Sequence, residues 1–303
     1  MSTEKTGIII GLSAVIVSVA NDEPKVFILR GADDASDALP FGPFDPDTHP
    51  TLDIGLRRWV REQTPLTPGY VEQLYTFGNR GRYAGQKQDG PRVVSIGYLA
   101  LTAMPSDSMC WGDWYHYFPW EDWRRGKPKM IGDAIEPGLM AWVNAADDPQ
   151  EKSRRRARVN ACFGPTQDEE KVLERYELLY EARLVFEAAR DKNIKVDDRL
   201  VPGRSMLYDH RRILATAIGR LRGKLKYRPV VFELMPAEFT LLQLQKTVEA
   251  ISGHALHKQN FRRLVESSGM VEEIPGKKSS IAGGRPAALF CFRPAAMLER
   301  STP

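Results

Sequence analysis

The chain has 303 residues, 43 Lys and Arg against 39 Asp and Glu, and a net charge of +4: long enough for two cores, and too weakly basic for charge alone to argue for a nucleic-acid partner. Three cysteines, Cys110, Cys162 and Cys291, lie far apart with no C-x2-C or Cys/His spacing. They imply neither a disulfide framework nor a zinc site and point to a cytoplasmic protein. The apolar run from Gly7 to Ala20, GIIIGLSAVIVSVA, follows a single lysine as a signal-peptide core does. It is too short to span a bilayer, and its β-branched content favours a buried strand.

After that strand, ANDEPK (Ala20 to Lys25) reads as a turn into KVFILR (Lys25 to Arg30), so residues 8 to 30 form a β-hairpin. LPFGPFDPD (Leu39 to Asp47) reads as a Gly/Pro/Asp turn. In LDIGLRRWVREQTPL (Leu52 to Leu66), Leu52, Leu56, Val60 and, with a looser fit, Trp59 recur at helical spacing, and Pro65 stops the helix.

Strand, LPxG turn and a helix ending RExT together resemble the Nudix box, whose family pattern is G-x5-E-x7-R-E-U-x-E-E-x-G-U. Arg58 stands at the motif arginine and Val60 at its aliphatic position, but Trp59 replaces the glutamate after the arginine. Of the closing glutamate pair only Glu62 remains, with Gln63 and Pro65 at the next motif positions. The segment from Gly42 to Arg58 is two residues longer than the motif and holds no glutamate. Pyrophosphate hydrolysis needs several carboxylates on one helical face to hold Mg2+ beside the phosphates and activate water. One glutamate is too few, so the reading is a box without hydrolase chemistry that keeps Arg58, Arg61 and Glu62 as ligand-binding candidates. The bland alternative is an ordinary amphipathic helix carrying an incidental RExT.

GYVEQLYTFGNRGR (Gly69 to Arg82) reads as a strand running into a glycine- and arginine-rich loop, and RVVSIGYLALTA (Arg92 to Ala103) as a further buried strand. VEQLYTFG and RVVSIGYLAL are similar to segments of the Nudix-related regulators of NAD metabolism, in which a Nudix-like sensor is fused to a winged helix. Asn79, Arg80 and Arg82 are candidate anion binders, guanidinium matching phosphate geometry; a solvated hairpin loop explains them equally well. WGDWYHYFPWEDW (Trp111 to Trp123) holds four of the six tryptophans, a density that favours packing at a domain boundary over stacking on a nucleobase.

From Arg124 to about Arg204 the chain departs from the regulator pattern. The first part of this insertion reads as loop-like, with KSRRRAR (Lys152 to Arg158) a solvated or disordered basic face. The second, from Asp168 to Lys192, reads as one long helix with Val172, Tyr176 and Leu179 in a stripe, packed on its own domain or on a second subunit. The resemblance resumes at Tyr208-Asp209-His210. A helix capped by Asp209 follows, with Ile213, Leu214, Ala217, Ile218 and Leu221 inward and Arg211, Arg212, Arg220, Arg222 and Lys224 outward.

The remainder reads as a winged helix: a strand PVVFELMP (Pro229 to Pro236), a Thr240/Gln243 capping box opening a helix that Gly253 ends, and a second helix from near Lys258 to Gly269. Phe261, Leu264 and Val265 are its core residues. Lys258, Gln259, Asn260, Arg262 and Arg263 are the candidate DNA-contacting residues, joined by Lys277, Lys278 and Arg285 on the basic tip of a wing hairpin. RLRGKLKYRPVVFEL, FTLLQLQ and NFRR resemble the same regulators.

The expected fold is therefore α/β (α+β), a Nudix-like α/β/α sandwich domain (1–123), an insertion (124–207), and a linker helix with a winged helix-turn-helix domain (208–303). What the resemblance implies is a homodimeric repressor of NAD or niacin metabolism or uptake genes, bound to double-stranded DNA, with ADP-ribose or a related NAD metabolite as effector and no cofactor or metal. Two alternatives stay open. One is an active Nudix hydrolase with an accessory winged helix, the other a winged helix used only for protein contacts.

Overall fold

The structure, a computed structural model, describes residues 7–30, 37–66, 69–79, 91–103, 110–166, 168–195, 200–227, 229–279 and 286–293. In chain order the first domain holds β1 (Ile8–Ala20), β2 (Glu23–Phe27), β3 (Leu29–Arg30), β4 (Asp37–Ala38), β5 (Phe41–Pro43), α1 (Leu52–Gln63), β6 (Tyr70–Phe77), β7 (Arg92–Leu101), β8 (Trp111–Asp113) and α2 (Trp114–Tyr117). The insertion forms α3 (Glu136–Asn144), α4 (Pro149–Phe163), α5 (Val172–Glu181) and α6 (Phe186–Asp191). The linker helix α7 (His210–Tyr227) leads to α8 (Leu241–Ser252), α9 (Lys258–Ser268), β9 (Val271–Lys278) and β10 (Ala288–Phe292).

β1 is buried on both faces from Leu12 to Ser18, which is why its sequence is continuously apolar rather than alternating. It pairs in parallel with β7, from Ile8↔Arg92 to Val17↔Leu101, and antiparallel with β2 and β5. The sheet runs β6-β7-β1-β2-β8, with β5 also on β1. The predicted hairpin holds, and its turn is only Asn21-Asp22, both at positive φ (53° and 61°) as a type I′ turn requires.

Two expectations here need correction. KVFILR is not one strand: it breaks at Ile28, β2 staying in the main sheet while β3 pairs with β4. LPFGPFDPD is not wholly a turn, since Phe41 to Pro43 pair with β1.

Side chains of the central strands divide between two cores. Leu12, Ala14, Ile16, Ile96 and Tyr98 pack with Leu56 and Val60 of α1. Val15, Val17, Leu99 and Leu101 face the other way, into a larger core with α5, α7 and the aromatic segment. Trp114, Phe118 and Trp120 are fully buried there, so the tryptophan cluster is packing.

The insertion differs most from its expected form. Its first part is helical, with KSRRRAR inside α4, whose N-cap Asp148 accepts from the Gln150 and Glu151 amides. The long helix is two: α5 ends at Ala182, and Arg183 takes a left-handed φ of 61°. Val172, Tyr176 and Leu179 are buried as the stripe predicted, against α7 of the same chain. Arg211 and Arg222 of α7, expected outward, are buried to 1% and 2% exposure. Glu121 explains Arg222: its carboxylate accepts from Arg175 Nε (2.6 Å) and Nη2 (2.7 Å) and from Arg222 Nη1 (2.7 Å). Arg211 pairs with the buried Glu187 (3.1 Å) and donates to the Tyr117 carbonyl. Burial alone would raise the Glu121 pKa, but two guanidiniums outweigh it and hold the carboxyl below its usual range.

Candidate DNA-contacting surface and effector site

The helix pair α8–α9 is built from short-range rules. The predicted capping box is present: Thr240 Oγ1 accepts from the Gln243 amide (3.1 Å), and Gln243 Oε1 accepts from the Thr240 amide (2.8 Å). Gly253 and Gly269 are left-handed C-caps of α8 and α9. The turn between the helices is tied back by the buried Glu249, which accepts from the Leu256 amide (2.9 Å) and Gln245 Nε2 (2.9 Å) and pairs with Lys246 (2.8 Å). Burial pushes the Glu249 pKa up, and these donors bring it below the usual carboxylate value. The α8 end is fastened to the rest of the chain through three carbonyl acceptors of its last turn. Tyr115 Oη donates to Ala250 O (2.8 Å), Arg222 Nε to Ile251 O (3.0 Å) and the Trp123 amide to Gly253 O (2.7 Å).

On α9 only Phe261 is buried, with Val265 partly buried beside it. Leu264, expected in the core, is 70% exposed. Lys258, Gln259, Asn260, Arg262 and Arg263 are all exposed. At about 100° per residue, Gln259 and Arg263 point most directly away from Phe261 and Val265, and Arg262 lies toward the flank. PVVFELMP, expected as a strand, is instead a 3-10 helix, Val230–Leu234, that buries Val231 and Leu234. The hairpin gains its third partner elsewhere, through Phe239 bridging Phe290. Lys277 and Lys278 stand exposed on β9, Lys277 pairing with Glu238 (2.5 Å). Arg285 lies outside the described residues.

The effector candidates are not gathered into one site. On α1, Arg58 pairs with Glu62 at 2.8 Å and Arg61 is exposed. Asn79, past the end of β6, accepts from Arg212 of α7 (3.0 Å), and α7 packs on the sheet face opposite α1. Arg80 and Arg82 lie outside the described residues. Trp59 and Gln63, at two positions where the Nudix box carries carboxylates, bond to the backbone of β5 instead. Trp59 Nε1 donates to Pro43 O (3.0 Å), and the Gln63 amide both donates to Phe41 O (2.7 Å) and accepts from Phe41 N (2.9 Å). The Trp59 ring lies so close to Gly42 that a Cβ there would sit 2.1 Å from it. These residues do not fit the Mg2+ that Nudix hydrolysis needs, since an indole and a neutral amide bonded to backbone leave Glu62 as the lone carboxylate of the three positions. Among the described residues no group of three or more His, Cys, Asp or Glu could hold a metal ion.

Sequence reasoning also missed His210, fully buried, whose Nδ1 accepts from the Leu39 amide (3.1 Å). Burial and then the Arg190 charge lower its pKa to about 3.

A mixed α/β domain, joined by a long helix to a capped helix pair and a two-stranded hairpin, defines a Nudix-like domain followed by a winged helix. Residues 231–292 match the family described as the NrtR DNA-binding winged helix domain. The "ADPR responsive transcriptional repressor NtrR" of Acinetobacter baylyi is 45% identical over 87 residues, 29% of this chain and 34% of the relative. The match thus spans about a third of that relative's length. Among solved structures, Shewanella oneidensis NrtR complexed with a 27mer DNA aligns with a TM-score of 0.52 at 21% identity, over 95% of this chain and 94% of that one. A MutT/nudix family protein from Enterococcus faecalis aligns with a TM-score of 0.52 at 15% identity, over 97% and 89%. At these identities the two structures speak for the fold, which is the one the sequence predicts.

Proposed function

We propose that this chain is a DNA-binding transcriptional regulator, a repressor of genes of NAD or niacin metabolism or uptake, that senses ADP-ribose or a related NAD metabolite without hydrolysing it. The observation that carries the reading is the outward face of α9: five polar or basic side chains from Lys258 to Arg263, held by a doubly capped helix pair whose sequence matches a DNA-binding winged helix. Supporting it, a relative described as an ADPR responsive transcriptional repressor is 45% identical over 87 residues. The division into sensor (1–123), insertion (124–207) and linker with winged helix (208–303), and a homodimer on a pseudo-palindromic operator, belong to the same proposal. No described helix is long and apolar enough to cross a membrane.

Absence of pyrophosphatase activity is part of this proposal, supported by the commitment of Trp59 and Gln63 to Pro43 and Phe41. The experiment is footprinting of the full chain on its neighbouring promoters with and without ADP-ribose, alongside Mg2+-dependent product release from ADP-ribose. A protected site whose occupancy responds to ADP-ribose, with no turnover, is the expected result. Turnover that vanishes on Glu62→Gln, or no salt-sensitive protection on any neighbouring promoter, would overturn it.

A further inference from the structure

One helix of the insertion is strongly basic. α4 carries Lys152, Arg154, Arg155, Arg156 and Arg158 against one acid, Glu151, a net +4 that equals the net charge of all 303 residues. Only Val159 of this helix is buried, so a core does not account for its composition. Two of the five cations hold the helix in place. Arg155 lies 4.5 Å over the Trp142 ring and donates to the Trp142 carbonyl (2.8 Å), and Arg158 lies over the same ring at 5.8 Å and pairs with Glu181 (2.6 Å).

The opposite arc is different. At about 100° per residue it runs from Arg156 through Asn160, Ser153 and Ala157 to Arg154, all of them exposed. Arg154 is 70% exposed and pairs with Glu151 at its flank (2.6 Å), an exposed pair of small worth. Two guanidiniums therefore edge a face whose middle is small or neutral, with no acid on it. Such a face lets an extended polyanion come close and receive forked N–H donors on both sides.

Its place in the fold points to which polyanion. At the C-terminal end of α4, the Ala161 carbonyl accepts from Lys171 (3.5 Å), and Glu169, two residues before that lysine, lies 3.9 Å from His254. His254 is in the α8–α9 turn, four residues before α9 begins. Residues 169 to 171 thus link the C-terminal end of α4 to the turn that precedes the candidate recognition helix.

We propose that α4 is an auxiliary phosphate-gripping element, its Arg154–Arg156 face holding DNA backbone that flanks the site read by α9. The proposal rests on the DNA-binding reading above. It assigns the insertion a contact that positions the protein without adding sequence information.

The test compares the full chain with the Arg154→Ala/Arg156→Ala double variant on two duplexes, one trimmed to the operator base pairs whose sequence α9 reads and one extended by about ten base pairs on each side, roughly one helical turn. Affinity is measured from low to high salt. The wild type should bind the extended duplex more tightly, with a steeper salt dependence. The double variant should lose about threefold to tenfold on the extended duplex, with the slope reduced by about one to two units, and match the wild type on the trimmed one. An Arg154→Lys/Arg156→Lys variant should recover most of the slope. Equal affinity and slope for wild type and double variant on the extended duplex would overturn the proposal. So would a double variant whose sedimentation shifts from dimer to monomer while its salt slope is unchanged, which would give the face to a second copy. Failure of the wild type to bind either duplex would overturn the DNA-binding reading itself and is distinct from either result.

Discussion

Two arginine-rich helices, α7 and α9, look alike in sequence and are opposite in the structure. In α7, Arg211 and Arg222 are sealed from solvent and matched to Glu187 and Glu121, carboxylates 24 and 101 residues away. In α9, Arg262 and Arg263 stand exposed. The amphipathic pattern assigns a side of the helix, but it cannot see a partner arriving from another segment. An arginine is buried where a distant carboxylate takes its charge and carbonyls take its remaining N–H groups, as Ile251 O and Glu121 O do for Arg222. It is left free to meet a ligand where none arrives.

The sharpest way to break that contrast is to remove the carboxylate. Glu121→Gln leaves Arg175 and Arg222 buried against a neutral amide and should cost about 3 to 5 kcal/mol in urea unfolding. Replacing Arg263 by Gln, an isolated change on the exposed helix, should stay within about 0.5 kcal/mol by the same measurement. Similar losses for both would remove the distinction.

A buried imidazole works through pH. His210 has a folded pKa lowered to about 3 from 6.5, so the unfolded state binds the proton more readily at intermediate pH. Stability from this group is therefore full above about pH 6.5 and falls as pH drops toward 3. Between pH 7 and pH 5 the loss should be about 2 kcal/mol. Urea midpoints of the wild type and His210→Gln at the two pH values measure it, and a wild type no more pH-sensitive than the variant would contradict the neutral buried imidazole.

On the opposite side of the sheet, Gln63→Glu puts a carboxylate against the Phe41 carbonyl that now receives an amide N–H. About 1 to 2 kcal/mol of stability should go with that bond. Thermal melts of this variant beside Gln63→Ala separate repulsion from simple loss, and a Glu variant at least as stable as wild type would show that the position still tolerates a metal-binding side chain.

What could be read from sequence divides along the same line as the two helices. The capping box, the glycine stops, the buried strands and the helix over Leu52 to Gln63 are local or periodic signals, and Thr240, Gly253, Leu56 and Val60 are where they predict. The break at Arg183 carries no glycine or proline to announce it, and PVVFELMP has strand composition but is bounded by prolines at both ends and closes into a 3-10 turn. Gly219 and Gly223 of α7, spaced one turn apart, admit Glu170 closely: a Cβ on Gly219 would lie 2.5 Å from its backbone carbonyl oxygen and one on Gly223 2.9 Å from its carboxylate. The candidate DNA face was legible because it depends on one helix. The effector site was not, because it needs residues from several segments, and Arg58 and Asn79 come to opposite faces of the sheet.

A last contrast separates the helix from the wing. If α9 lies in a major groove, Gln259 and Arg263 face base edges, and the flank position of Arg262 brings it between bases and backbone. Gln259→Ala or Arg263→Ala should then cost about 1 to 3 kcal/mol on the operator and reduce its preference over scrambled DNA, Arg262→Ala somewhat less. Lys278 on β9 reaches only backbone, so Lys278→Ala should weaken operator and scrambled DNA alike and lower the salt slope by about one unit. Lys277 already pairs with Glu238, so Lys277→Ala should release less counterion-linked affinity than Lys278→Ala. The measurement is a salt titration of each variant on both DNAs at one temperature. If helix and wing variants lose affinity in the same proportion on both, the outward face of α9 grips phosphate without reading bases, and specificity has to come from another element.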